Sequence, residues 1–173
     1  MSTIHSILVL NLSQAVVISV SKPHACVDVL FDLDVNEAQL ADIASQWING
    51  VTYPATIFLQ GNLGAGKTTF VRACLRALGF QCRVKSPTYA WLESYELDQH
   101  LVHHIDLYRL QSPQQIETIG LRDCWQTPAW VFIEWPEKAQ GYLPTANFTV
   151  ELWGSDVLPD GRHLLICQHQ IGH

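Results

Sequence analysis

A mixed sheet flanked by helices in three layers, an α/β fold, is what this sequence predicts, and three observations predict it. Short apolar runs of strand length alternate with segments that carry apolar residues at helical spacing. One run, Ala129-Trp130-Val131-Phe132-Ile133, is apolar at every position, as a strand covered on both faces must be. The loop Gly61-Asn62-Leu63-Gly64-Ala65-Gly66-Lys67-Thr68 lies between an apolar run, Ala55 to Leu59, and a helix-like segment, Thr68 to Leu78. That strand, loop and helix order is how a phosphate-binding loop is held, so the fold expected is of the P-loop NTPase-like kind.

The elements follow in order. Val27 to Phe31 alternates as a strand, and Val35 to Ile48 carries Leu40, Ile43, Ala44 and Trp47 on one helical face, ended by Asn49-Gly50. After the phosphate loop and its helix, stopped by Gly79, the runs Tyr89 to Leu97 and His100 to Ile105 read as a hairpin turning at Asp98-Gln99. Ser112-Pro113 reads as an N-cap with a first-turn proline, so a short helix is expected from Pro113 to Ile119. The fully apolar strand ends in Glu134, and Pro136 to Gln140 has the makings of a short helix. Phe148 to Trp153 and His163 to Gln168 close the sheet, with antiparallel strands expected at one side.

A length of 173 residues suits one domain of ordinary size, and 48% hydrophobic with 15% charged residues describes a folded chain. Residues 25–173 are read as that domain and residues 1–24 as an N-terminal extension whose role the sequence does not disclose. The extension has two apolar runs split by polar residues and no basic residue before Lys22, which fits neither a signal peptide nor a membrane span. Cys26, Cys74, Cys82, Cys124 and Cys167 are odd in number and lack C-x-x-C spacing, so reduced thiols in a cytoplasmic protein are expected. The net charge of −6 argues against charge-driven nucleic-acid binding by the chain alone, so any RNA contact is expected to need a partner. Five of the ten cationic residues, Lys67, Arg72, Arg76, Arg83 and Lys85, cluster in one stretch, for which a solvated helix face is the simpler reading.

The chemistry is read from the loop outward. Glycines in the loop allow backbone angles that turn successive N–H groups inward, which makes this chain an ATP or GTP binder. Lys67 is placed to neutralise β- and γ-phosphate charge, and the Thr68 hydroxyl to ligate Mg²⁺. Glu134, delivered by the end of a buried strand, is the matching carboxylate for the metal. Asp106 ends a strand-like run and either orients the attacking water or the metal shell, or merely caps a turn or pairs with Arg109. His103 and His104 point to opposite faces of their strand, so a shared metal is not expected; either one of them lies near the site or, the simpler reading, the histidine is a partly buried structural one. Thr88, in Ser86-Pro87-Thr88-Tyr89, stands where a segment sensing the γ-phosphate is expected, with an ordinary proline turn as the alternative. Trp135 is read equally as a neighbour of the nucleotide and as a core residue.

Five blocks together resemble the TsaE family, also called YjeE, over about residues 27–162. They are the loop through Thr69, Val84-Lys85-Ser86-Pro87-Thr88-Tyr89, His104-Ile105-Asp106-Leu107-Tyr108-Arg109-Leu110, Glu117-Thr118-Ile119-Gly120-Leu121-Arg122-Asp123, and Ile133-Glu134-Trp135-Pro136-Glu137-Lys138. The resemblance implies a Mg²⁺-dependent ATPase of tRNA threonylcarbamoyladenosine biosynthesis that works with TsaB and TsaD and meets tRNA only within that complex. It implies ATP held by Asn62, Leu63, Gly64, Ala65, Gly66, Lys67, Thr68 and Thr69, with Arg162 against the nucleotide and the region of Asn36 and Glu37 on the adenine side. Lys67, Asp106 and Glu134 are the implied catalytic residues, Thr68 and Glu134 the metal ligands, and Trp135 is implied to matter for function. The family usually has Asp at the position of Asn62 and a Thr-Leu pair at Ala90-Trp91. Because the loop binds through backbone amides, ATP binding is expected to survive the first difference; the second falls on the partner surface or switch.

Two other functions share the loop. A small-molecule kinase usually closes several arginines over the transferred group, and after Glu134 this chain offers only Lys138 and Arg162. A nucleotide-gated binding module would need ATP binding without turnover. The oligomeric state is not readable from the sequence.

Overall fold

The computed structural model describes residues 28–82, 84, 87, 90–98 and 100–170. The N-terminal extension and Ser86, Thr88, Tyr89, Arg83 and Lys85 lie outside the described residues. Seven strands form one mixed sheet: β1 (Asp28–Val35), β2 (Ala55–Gln60), β3 (Leu92–Leu97), β4 (His100–Asp106), β5 (Trp130–Glu134), β6 (Phe148–Gly154) and β7 (Arg162–Gln168). Their order is β1-β7-β6-β2-β5-β4-β3. The central pairs β4 with β5, β5 with β2 and β2 with β6 are parallel. Antiparallel pairs stand at both edges, β3 with β4 on one and β6, β7 and β1 on the other, where the sequence suggested one. The predicted hairpin itself supplies the second antiparallel edge, since its return strand joins the parallel centre.

Alternation along β5 explains the two cores. Phe132 points into a cluster under α1 (Glu37–Ile48) and α2 (Lys67–Ala77), with Leu40, Ile43, Phe70 and Leu75, while Val131 and Ile133 point the other way. There they meet Ile116 of α3 (Gln115–Thr118), Leu121 of a 3-10 helix (Leu121–Trp125), and Ala139 of another (Pro136–Ala139). Phe132 and Ile133 are both wholly buried, which is why this strand carries no polar residue until its last. The 3-10 helix at Leu121–Trp125 had no counterpart in the sequence reading.

Helix boundaries differ where a cap, rather than periodicity, decides them. Val35, read as the first residue of a helix, is instead the last of β1, buried and paired with Arg162. The helix starts after it because the Asn36 side chain accepts from the Gln39 N–H and Gln39 Oε1 accepts from the Asn36 N–H, both at 2.9 Å. Near Ser112 only half of such a cap forms, Gln115 Oε1 accepting the N–H groups of Gln111 at 2.8 Å and Ser112 at 3.4 Å. The N–H groups of Gln115, Ile116 and Glu117 bond three residues back, to Ser112, Pro113 and Gln114, so this stretch opens as tight turns and the α-helix is confined to Gln115–Thr118. The other predicted elements, where they fall on described residues, lie within a few residues of their observed bounds, α2 and the strands β5 to β7 among them.

Candidate nucleotide site

The ends of three neighbouring parallel strands converge on one place. β2 ends at Gln60 and runs into the glycine loop, β5 ends at Glu134, and β4 ends at Asp106, which pairs with Glu134 in the β4–β5 register. Residues paired across neighbouring strands face the same side, so the two carboxylates lie together on the face that α2 covers. A cavity of about 240 Å³ opens there, lined by residues 63–69 of the loop and helix and by Asp106, Tyr108, Glu134 and Trp135.

The loop fits under the sheet only as glycine at its first position. Gly61 has φ +135°, and a Cβ there would lie 1.9 Å from the Leu152 carbonyl oxygen. Lys67, at the start of α2, is almost fully buried, and its ammonium donates to the carbonyls of Gly61 at 2.7 Å and Asn62 at 3.0 Å. The Trp135 ring lies 3.9 Å from the ammonium, centroid to nitrogen, and Trp135 reaches it by taking a left-handed backbone at φ +60°. Burial pushes the Lys67 pKa below 10.5, against the pull of Glu134, Asp106 and Glu137, which favour the charged form.

Opposite Lys67, the Thr68 hydroxyl donates to Glu134 Oε1 at 2.8 Å, and His104 Nε2 lies 2.8 Å from the same oxygen. The donor set suits Mg²⁺, which takes hard oxygens. Thr68 Oγ1 and Glu134 Oε1 are two such oxygens, side by side at the cavity wall, and would be the ones to hold it. Asp106 is buried and its Oδ1 accepts the Tyr108 N–H at 2.9 Å, so it does cap a turn while also facing the cavity.

Of the loop residues named from sequence, Leu63, Gly64, Ala65, Gly66, Lys67, Thr68 and Thr69 line the cavity, and Asn62 does not. Asn62 contributes its carbonyl, which accepts from Lys67 and from the Ala65 N–H. Arg162 is likewise outside the lining. Its guanidinium is spread over the carbonyls of Ala65 at 3.1 Å, Gly64 at 3.4 Å, Gly161 at 2.8 Å and Asp160 at 3.2 Å. It grips the loop from behind. Asn36 and Glu37, which directly follow Val35, the strand partner of Arg162, are also outside the lining. Thr88 lies outside the described residues.

One residue of the site, Tyr108, was given no role from the sequence, and another, His104, was weighed but given a structural one. Tyr108 packs against Trp135 with ring centroids 5.0 Å apart. His104 was read as structural, yet it shares a face with Asp106 two positions on, and that period-two relation was the available signal.

The family model described as "Threonylcarbamoyl adenosine biosynthesis protein TsaE" matches residues 35–162. Among curated relatives, the Haemophilus influenzae tRNA threonylcarbamoyladenosine biosynthesis protein TsaE is 44% identical over 117 residues, 67% of this chain and 72% of its own. The protein of the same name from Treponema pallidum is 36% identical over 108 residues, covering 62% of this chain and 77% of its own. Among solved structures, Bacillus subtilis YdiB superposes with a TM-score of 0.64 at 23% identity, over 83% of this chain and 88% of that one, which is a likeness of fold.

Proposed function

We propose, because this chain belongs to the TsaE family and so serves the threonylcarbamoyladenosine modification of tRNA, that it does so as a Mg²⁺-dependent ATPase. It acts with TsaB and TsaD and couples ATP hydrolysis to the cycle of that complex. The observation that carries this reading is the 2.8 Å contact between the Thr68 hydroxyl and the Glu134 carboxylate, at the head of a cavity walled by a glycine loop. A hydroxyl from the first turn of the helix and a carboxylate from the neighbouring strand end are what a phosphate-loop nucleotide site brings together.

In this reading the loop amides and the N-terminus of α2, with Thr69 in its first turn, bind the phosphates of ATP. Lys67 exchanges carbonyl partners in the loop for phosphate oxygens, and Arg162 keeps the loop in shape from its far side. Thr68 and Glu134 hold Mg²⁺, which when bound spreads the negative charge that develops on the transferred phosphoryl group. Asp106, its Oδ1 already fixed by the Tyr108 N–H, orients the attacking water. Trp135 covers Lys67 and limits the access of other water to the ammonium. Catalysis is then electrostatic positioning, with no covalent step on the protein.

The test is ATP turnover by the purified chain alone and with TsaB and TsaD. Turnover that is low alone, rises with the partners and is lost in Glu134→Ala is expected, and Asp106→Ala should lose hydrolysis more than ATP binding. A folded chain that binds ATP but gains nothing from the partners would return the question to the kinase and gated-module readings.

A further inference from the structure

We propose that His104 is a positioning residue for the nucleotide site: its imidazole holds the Glu134 carboxylate in place and so sets the affinity of the site for its divalent cation. This rests on the reading of Thr68 and Glu134 as the Mg²⁺ ligands.

His104 is 0% exposed, on the same sheet face as Asp106 and beside the equally buried Phe132 of β5. Its Nε2 lies 2.8 Å from Glu134 Oε1, and its Nδ1 is buried without a hydrogen-bond partner among the described residues. A carboxylate that ligates a cation is ionised and can only accept, so the proton of a neutral ring belongs on Nε2 and the bare nitrogen is Nδ1. Leaving Nδ1 unpaired in the interior is unfavourable. A ring that served only to fill space would be better as a hydrocarbon, so the function of this one lies at Nε2.

The Glu134 oxygen that takes this bond takes a second from the Thr68 hydroxyl. The two donors are not equivalent. Thr68 is itself a ligand in the proposed site, so its own position is set by the cation as well as by Glu134. Among the described residues His104 is then the side-chain donor that holds Glu134 independently of the cation. Because it is mounted on a central strand rather than on the loop, its position does not depend on how the loop closes. Donors behind a metal ligand are typically worth 10–100-fold in metal affinity.

The experiment is a Mg²⁺ titration of fluorescent ATP-analogue binding by the full chain, with a second titration of the analogue in EDTA, for wild type and three variants. His104→Gln carries an amide nitrogen out to the place of Nε2, His104→Asn stops short of it, and His104→Phe has no donor. Phe and Asn should raise the Mg²⁺ needed for half-maximal binding by about 10–100-fold, with analogue affinity in EDTA unchanged, and Gln should stay within a few-fold of wild type. A thermal melt of each variant identifies those that fold, and if Phe does not, the contrast between Gln and Asn decides. Folded variants that all keep the wild-type Mg²⁺ dependence would overturn the assignment while leaving the ATPase reading intact, and so would Gln and Asn falling equally. Wild-type binding that ignores Mg²⁺ would overturn both.

Discussion

His103 and His104 are consecutive, and the sheet sends them to different work. His104 turns toward Glu134, whereas His103 turns to the opposite face, where its Nδ1 lies 2.8 Å from Ser94 Oγ. Burial pushes the His103 pKa below its ordinary 6.5. As pH falls through 6.5 toward that lower value, the unfolded chain takes up a proton on this ring before the folded chain does, and stability is lost across that window. Above it the contribution is constant. Thermal melts between about pH 7.5 and about pH 5 should therefore show a smaller acid loss in His103→Asn than in wild type; parallel curves would mean that other groups carry the whole effect. The same pair marks how far the site was legible. Lys67, Thr68 and Glu134 stood out because fixed spacing or a strand end announces them. The role of His104 depends on which residue of the neighbouring strand lies beside it, and a single sequence does not state strand register. Arg162 entered only through the resemblance, as a residue against the nucleotide; its contact with the loop carbonyls was not legible, since it joins residues 97 apart.

At the scale of elements, the phosphate loop is held by a steric condition at one end and by conformational freedom farther along. Ala at Gly61 would drive a methyl group into the Leu152 carbonyl of β6, and backbone cannot yield there without disturbing the β2–β6 pairing. Gly64, at φ +77°, has nothing within 4 Å of an added Cβ. Gly64→Ala should thus cost only the left-handed strain, about 1–2 kcal/mol, and Gly61→Ala on the order of 3 kcal/mol or more. Chemical denaturation of the two variants checks the order; equal losses would show that the Leu152 contact relaxes. Elements whose signal is local were readable in advance, such as β5, apolar up to its final Glu134, and the hairpin of β3 and β4. What failed was the placing of boundaries by periodicity alone. Val35 fits a helical pattern as well as a strand, and the reciprocal bonds of Asn36 and Gln39 decide between them. The sheet order was not legible either, because β7 lies between β6 and β1, the last strand beside the first.

For the whole molecule, charge bears on the partner question more directly than shape does. Binding to nucleic acid at physiological salt is driven by cations that replace counterions on phosphates. The chain has ten Lys and Arg against sixteen Asp and Glu. Of the ten, Lys67 and Arg162 are bonded to carbonyls of the phosphate loop, and Arg122 is paired with Glu117 at 3.3 Å. The helix that carries Arg72 and Arg76 presents the second outward, but it packs its other side on α1 and offers no continuous basic stripe. A role in tRNA modification is therefore expected to reach tRNA through partners. In a mobility-shift titration at about 150 mM salt, the chain alone should leave tRNA unshifted, and it should enter a tRNA complex only when TsaB and TsaD are present. A shift by the chain alone, weakening steeply as salt is raised, would mean that a local basic surface outweighs the net charge of −6. Arg76→Glu would then be the first variant to separate that surface from the nucleotide site, since it lies outside the residues that line the cavity.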